Sequence, residues 1–171
     1  MDESVKDCFI QSGRDWFRYR TGAIIVEDGF ALFIGCEKFD FLYTPGGAVH
    51  IGETAEECVK REVFEETGVH YEVDRLAVVC ENFFEGTNGI LKNLHCHNLS
   101  LYFLMKPRGS RETFCRSVNM DGEAEKAVWI PVDSIGEYNV KPSFLKDRLK
   151  DILQSKTVLH IVHKKGQNRN G

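Results

Sequence analysis

Apolar and polar residues alternate over residues 17–27, where Tyr19, Thr21, Ala23 and Ile25 stand against Arg18 and Arg20. That period of two predicts a strand. Asp28-Gly29 follows. Both central residues of a two-residue hairpin must reach positive φ, and an Asp-Gly pair does so readily. Residues 30–37 are predicted to return as the second strand, and 39–43 as a short third strand ending at Pro45-Gly46-Gly47. The period then changes to that of a helix over residues 55–67, with Ala55, Val59 and Val63 one turn apart. Thr54 and Glu57 have the spacing of a capping box. Gly68 stands where a left-handed residue ends a helix.

Further strands are predicted over 71–84, 94–105, 127–131 and 157–163, with a glycine-punctuated loop at 85–89 and a polar, mobile loop at 107–122. A second helix is expected over 142–154, with Leu145, Leu149, Ile152 and Leu153 on one face. Residues 1–15 are polar and lead in as a short helix or strand. Several strands with one early and one late helix predict an α+β fold, an α/β/α sandwich around a central mixed β-sheet. The chain of 171 residues suits one domain over 1–165, followed by a disordered tail at 166–171.

Composition narrows the function classes. Charged residues make up 28% of the chain and the AVILMFWYC set 42%, which fits a globular domain and excludes collagen-like or disordered chains. No apolar run approaches the ~20 residues of a membrane helix. Six cysteines are scattered singly, without a CxxC pair, so they are expected as reduced thiols. The start Met1-Asp2-Glu3 has no basic-then-apolar leader, and the expected location is cytoplasmic. A net charge of −4, with no basic block, disfavours extended nucleic acid as a partner. A small anionic substrate held through a cation remains open.

The chemistry lies between Gly47 and Val69. On a helix, Glu62, Glu65 and Glu66 share an arc of about 100°, at roughly 100° per residue. Arg61 precedes Glu65 by one turn, and the Thr44-Pro45-Gly46-Gly47 turn approaches from the helix N-terminal side. Like charges this close destabilise a helix. A hard cation such as Mg²⁺ removes that penalty, because it takes oxygen ligands and often bridges to substrate phosphates.

Residues 47–69 resemble, without a departure, the signature of the Nudix hydrolase family, G-x5-E-x7-R-E-U-x-E-E-x-G-U with U a bulky aliphatic residue. The flanking strands and Trp129-Ile130-Pro131 look similar as well. The resemblance implies the α/β/α sandwich. It also implies Mg²⁺- or Mn²⁺-dependent hydrolysis of a nucleoside diphosphate linked to another group X. By the same resemblance Glu65, Glu66 and the Gly46 carbonyl are metal ligands, and Glu62 is a further ligand or the base that activates water. Arg61 orients a box glutamate. Glu53 supports the loop or binds a second metal through water. Gly47, Gly52 and Gly68 are structural.

The family often adds a glutamate from outside the box, and Glu123 and Glu125 are the candidates. His95 and His97 fall on one face of a strand, where they either line a half-polar sheet face or touch substrate phosphate or base. The partner implied is a small-molecule nucleotide, with no membrane, and homodimers are common in the family. The proline that marks the ADP-ribose branch is missing, since no proline occurs between Pro45 and Pro107. Modified nucleoside triphosphates and nucleotide sugars both stay open as substrates. A nucleotide sensor without turnover and an RNA 5′-end pyrophosphohydrolase are the other readings. Sensors usually lose box carboxylates, and an RNA enzyme wants a basic face.

Overall fold

The computed structural model describes residues 6–87, 89–118 and 122–164. The tail expected at 166–171 lies outside the described residues, as do residues 1–5. The strands are β1 (Phe9–Ser12), β2 (Asp15–Ile24), β3 (Val26–Glu27), β4 (Phe30–Cys36), β5 (Leu42–Tyr43), β6 (Val73–Glu85), β7 (His95–Met105), β8 (Glu125–Pro131), β9 (Val140–Lys141) and β10 (Leu159–Lys164). The helices are α1 (Ala55–Thr67) and α2 (Leu145–Gln154). One mixed sheet runs β1-β2-β7-β6-β10, with β2 and β7 parallel and β6 and β7 antiparallel. A second sheet runs β3-β4-β5-β9, and β8 pairs with β4. The expected mixed sheet is therefore joined by a smaller partner sheet.

Strand alternation distributes the core between two layers. Ala23, Ile25, Phe103 and Met105 pack with Val59 and Val63 of α1. Ile24 and Val78 point the other way and pack with Phe33 and Ile130 of the second sheet and Leu145, Leu149 and Ile152 of α2. The result is the α/β/α sandwich.

Local chemistry sets the element ends. Asp28 and Gly29 both have positive φ, 49° and 80°, closing the β3–β4 hairpin. The Glu57 amide donates to Thr54 Oγ1 at 3.2 Å, and the Thr54 amide donates to the Glu57 carboxylate at 2.8 Å, completing the capping box. Gly68 stops the helix at φ 71°, its N–H on the Phe64 carbonyl. The strand expected over 39–43 shrinks to β5. The Phe39 amide turns back to the Cys36 carbonyl, and the Phe39 and Phe41 rings stack at 5.0 Å, so this stretch does not alternate across a sheet. Regular helix begins at Leu145 rather than at 142. The first bonds, Leu145 N–H to Pro142 O and Lys146 N–H to Ser143 O, span three residues, as in a 3₁₀ turn.

The loop expected to be mobile is irregular but tied down where it is described. Glu27 is 1% exposed. Its carboxylate accepts from the Arg108 amide at 2.6 Å, the Gly109 amide at 2.9 Å and the Tyr71 hydroxyl at 3.1 Å. Farther along, the Phe114 amide donates to the Thr67 carbonyl, and Trp129 Nε1 donates to the Arg111 carbonyl. Glu27→Ala leaves three donors without their acceptor, of which the Tyr71 hydroxyl is the buried one, and is expected to cost about 1–3 kcal/mol of stability, the scale for one buried group left unsatisfied. A thermal melt checks it, and an unchanged Tm would show that the strap is held by other contacts.

Candidate functional site

The site begins at the edge of β2. The Ala23 amide donates to the Pro45 carbonyl at 2.7 Å, the Thr21 amide to the Gly47 carbonyl at 2.9 Å, and the Val49 amide to the Tyr19 carbonyl at 3.2 Å. The turn is thus laid against the sheet as a short extra edge. Only glycine fits there. A Cβ on Gly46, whose φ is 148°, would lie 2.3 Å from the Thr21 carbonyl oxygen. A Cβ on Gly47 would lie 2.3 Å from Glu62 Oε1. The bare Gly47 backbone therefore leaves room for the Glu62 carboxylate. The carbonyls on either side of Gly46 are engaged by β2, whereas the Gly46 carbonyl accepts no hydrogen bond among the described residues.

Arg61 organises the helix side. Its Nε and Nη2 fork onto Glu53 at 2.8 and 3.0 Å. Its Nη1 donates to Glu62 at 2.7 Å and to Glu65 at 3.2 Å, and Nη2 reaches the Ala48 carbonyl at 3.3 Å. Hydrogen bonds from Arg61 pull the Glu53 carboxyl down to about 2. Arg61 in turn is raised by its bonds to Glu53 and Glu62. The planar fork carries this geometry, and lysine has none. Arg61→Lys is expected to lower activity by about 10–100-fold, the usual scale for losing a group that orients a ligand. Steady-state kinetics checks it, and full activity in the lysine variant would show that positive charge alone suffices.

Glu66 is the most perturbed carboxyl of the box. Burial pushes it up to about 8, against the stabilising Gly46 amide at 2.8 Å, with Glu62 and Glu125 adding repulsion. Burial raises Glu62 too, opposed by Arg61. Arg20 favours the charged form of both. From the second sheet, the Tyr43 hydroxyl donates to Glu125. Cys58 lies beneath the turn, bonded to Thr21 Oγ1 and the Ala48 carbonyl, and burial lifts its thiol to about 12, so it stays protonated.

Gly46, Glu53, Arg61, Glu62, Glu65 and Glu66 are thus gathered at one turn, and Glu125 joins them from β8. Glu123 precedes the strand and is exposed. His95 and His97 lie elsewhere. They share a sheet face with Phe17 and Phe83, the face opposite Arg18 and Arg20. There His97 stacks on Phe83 at 4.1 Å, and His95 meets Asp15 at 3.1 Å and Glu85 at 3.3 Å. They line a separate cleft of about 430 Å³. Tyr43 and Arg20 were not singled out from the sequence. The one available signal was an arginine recurring at alternate positions of a strand that becomes buried.

Among the described residues, no three His, Cys, Asp or Glu side chains close on one point as a metal cage. Glu62 and Glu65 face Arg61, and Glu66 faces the Gly46 amide. The donor set is nevertheless one kind of chemistry: hard carboxylate oxygens, two of them on half-buried groups with raised pKa, beside a carbonyl unengaged among the described residues. A hard divalent cation matches such donors.

The NUDIX domain family model matches residues 16–152. A MutT-like protein of Streptomyces ambofaciens is 34% identical over 117 residues, 68% of this chain, and the chain spans 65% of that relative's length. The MutT protein of Methanosarcina mazei Go1 superposes with a TM-score of 0.62 at 19% identity, over 84% of this chain and 97% of the other. A UDP-X diphosphatase superposes with a TM-score of 0.56 at 20% identity, over 84% of this chain and 66% of its own. At these identities the structural likeness speaks for the fold.

Proposed function

The chain belongs to the Nudix domain family, and from that premise we propose that it is a pyrophosphohydrolase that cleaves a nucleoside diphosphate linked to another group X, with Mg²⁺ or Mn²⁺. The observation that carries the reading is the half-buried carboxylate pair Glu62 and Glu66 at the Gly46-Gly47 turn, with Arg61 holding Glu53, Glu62 and Glu65 in register. All box glutamates and Arg61 are present, which favours an enzyme over a silent sensor.

When bound, the cation would supply Lewis-acid charge neutralisation and an acidified water at the phosphates. Glu62, Glu65, Glu66 and the Gly46 carbonyl would hold it. The chain's own groups do the rest. Arg61 fixes carboxylate orientation through charge-assisted bonds. Glu53 is kept ionised by Arg61 and anchors the loop. Glu62 and Glu125, the latter bonded to the Tyr43 hydroxyl, are the carboxylates we assign as candidates to take a proton from water, and comparison of their glutamine variants separates them. Hydrolysis of such anhydrides rests on positioning and charge neutralisation more than on covalent chemistry. Residues 1–165 form the catalytic unit in this reading. Among the described residues no helix is long and apolar enough to cross a membrane.

The test is product analysis across nucleoside triphosphates, oxidised triphosphates, ADP-ribose, sugar nucleotides, dinucleoside polyphosphates and capped RNA, with Mg²⁺ or Mn²⁺. Cation-dependent cleavage within the pyrophosphate is the expected result. Nucleotide binding without cleavage of any compound would replace the enzyme by a sensor.

A further inference from the structure

One face of the mixed sheet carries polar groups that nothing among the described residues satisfies. The register sets Arg18 beside Asn98, and Asn98 beside Asn82, across β2, β7 and β6. The next row on that face is Arg20, Ser100 and Cys80. Direct partners in neighbouring strands share a face, with side chains in contact range. Asn82 Oδ1, Asn98 Oδ1 and Arg20 Nε are all shielded from solvent and lack a hydrogen-bond partner among the described residues. Neither amide makes a hydrogen bond among the described residues. Arg18, by contrast, is paired with Asp7 at 3.0 Å. Buried polar groups in folded proteins are almost always satisfied, so three orphans on one face ask for a ligand.

Their place relative to the turn gives the ligand's shape. Arg20 is opposite Ala48 at the turn, and its charge favours the ionised forms of Glu62 and Glu66. Asn98 lies one strand farther and Asn82 two, so the amides sit about 10–15 Å from the turn at ~4.8 Å per strand. A nucleoside polyphosphate has that span. An asparagine amide offers one donor and one acceptor side by side, which complements a base edge carrying both.

We propose that Arg20 binds a phosphate oxygen of the substrate and that Asn82 and Asn98 read the polar edge of its nucleobase. The enzyme then selects its substrates by the base rather than by X. This rests on the hydrolase reading for the direction of the substrate, but its test does not need turnover.

Calorimetry with α,β-methylene analogues of ATP, GTP, CTP and UTP, and of an abasic ribose triphosphate, measures base recognition directly. Wild type is expected to bind at least one base-bearing analogue about tenfold or more tighter than the abasic one, the scale of one satisfied hydrogen bond. Asn82→Ala and Asn98→Ala should reduce that ratio towards one while leaving abasic binding and Tm unlowered, and Asn→Ser variants should retain part of it. Arg20→Gln should weaken all analogues alike. Equal binding of the abasic compound by wild type would overturn the proposal, as would a base preference that survives both alanine variants. Base-selective binding without hydrolysis of any nucleotide would retain the base-reading site and reject the hydrolase.

Discussion

Glu66→Gln is expected to lower turnover by at least about 10²-fold while the fold survives, since losing several kcal/mol of cation-borne stabilisation costs tenfold per 1.36 kcal/mol. The substitution is close to isosteric. The amide oxygen can still accept from the Gly46 N–H, now at 2.8 Å, so the turn keeps its partner. What is removed is a negative charge at the deepest oxygen of the site. Under saturating cation and substrate the effect should fall on kcat. Wild-type turnover by the variant would remove Glu66 from the machinery and with it the role of the half-buried pair.

The same substitution is expected to stabilise the cation-free protein at alkaline pH. Glu66 is lifted from an ordinary 4.5 to about 8, chiefly by burial. Between those values the folded state keeps a proton that the unfolded chain has released. Stability contributed by the group is therefore full below about 4.5 and falls as pH rises towards 8, by an amount of order a few kcal/mol. Glutamine never ionises and escapes that loss. At pH 8.5 in chelator, Glu66→Gln should melt about 5 °C or more above wild type, at roughly 2–4 °C per kcal/mol for a chain of this size. At pH 4.5 the two should melt together. Added Mg²⁺ should raise wild type at pH 8.5 and leave the variant where it was. A constant difference at all pH values would mean that Glu66 is not the titrating group.

The helix and its carboxylates were legible because their information is local. Thr54, Glu57 and Gly68 set the ends of α1, and the 3.6-residue period set the arc shared by Glu62, Glu65 and Glu66. The same holds for the Asp28-Gly29 turn. What lay beyond reach depends on which strands meet. Glu123 and Glu125 were equivalent in sequence. They part because β8 begins at Glu125, whose backbone pairs with Cys36 of β4 while Tyr43 pairs with Ile34 of the same strand. His95 and His97 were rightly placed on one face of a strand, but which face, relative to the box, follows from the β2–β7 register. The polar row Arg18, Asn98 and Asn82 comes from three separate strands, and no window of the sequence contains it. β5 and β9 are two-residue strands that exist only through each other and β4.

The central claim is that the box carboxylates hold the divalent cation used in hydrolysis, and Mn²⁺ titration of wild type and Glu66→Gln at pH 6.5, 7.5 and 8.5 tests it most directly. Wild type should bind more tightly as pH rises, by up to about tenfold per unit below pH 8, because the cation must displace the Glu66 proton. The glutamine variant should bind weakly and show little of that dependence. Equal affinities in the two proteins, unchanged across the pH range, would contradict the account.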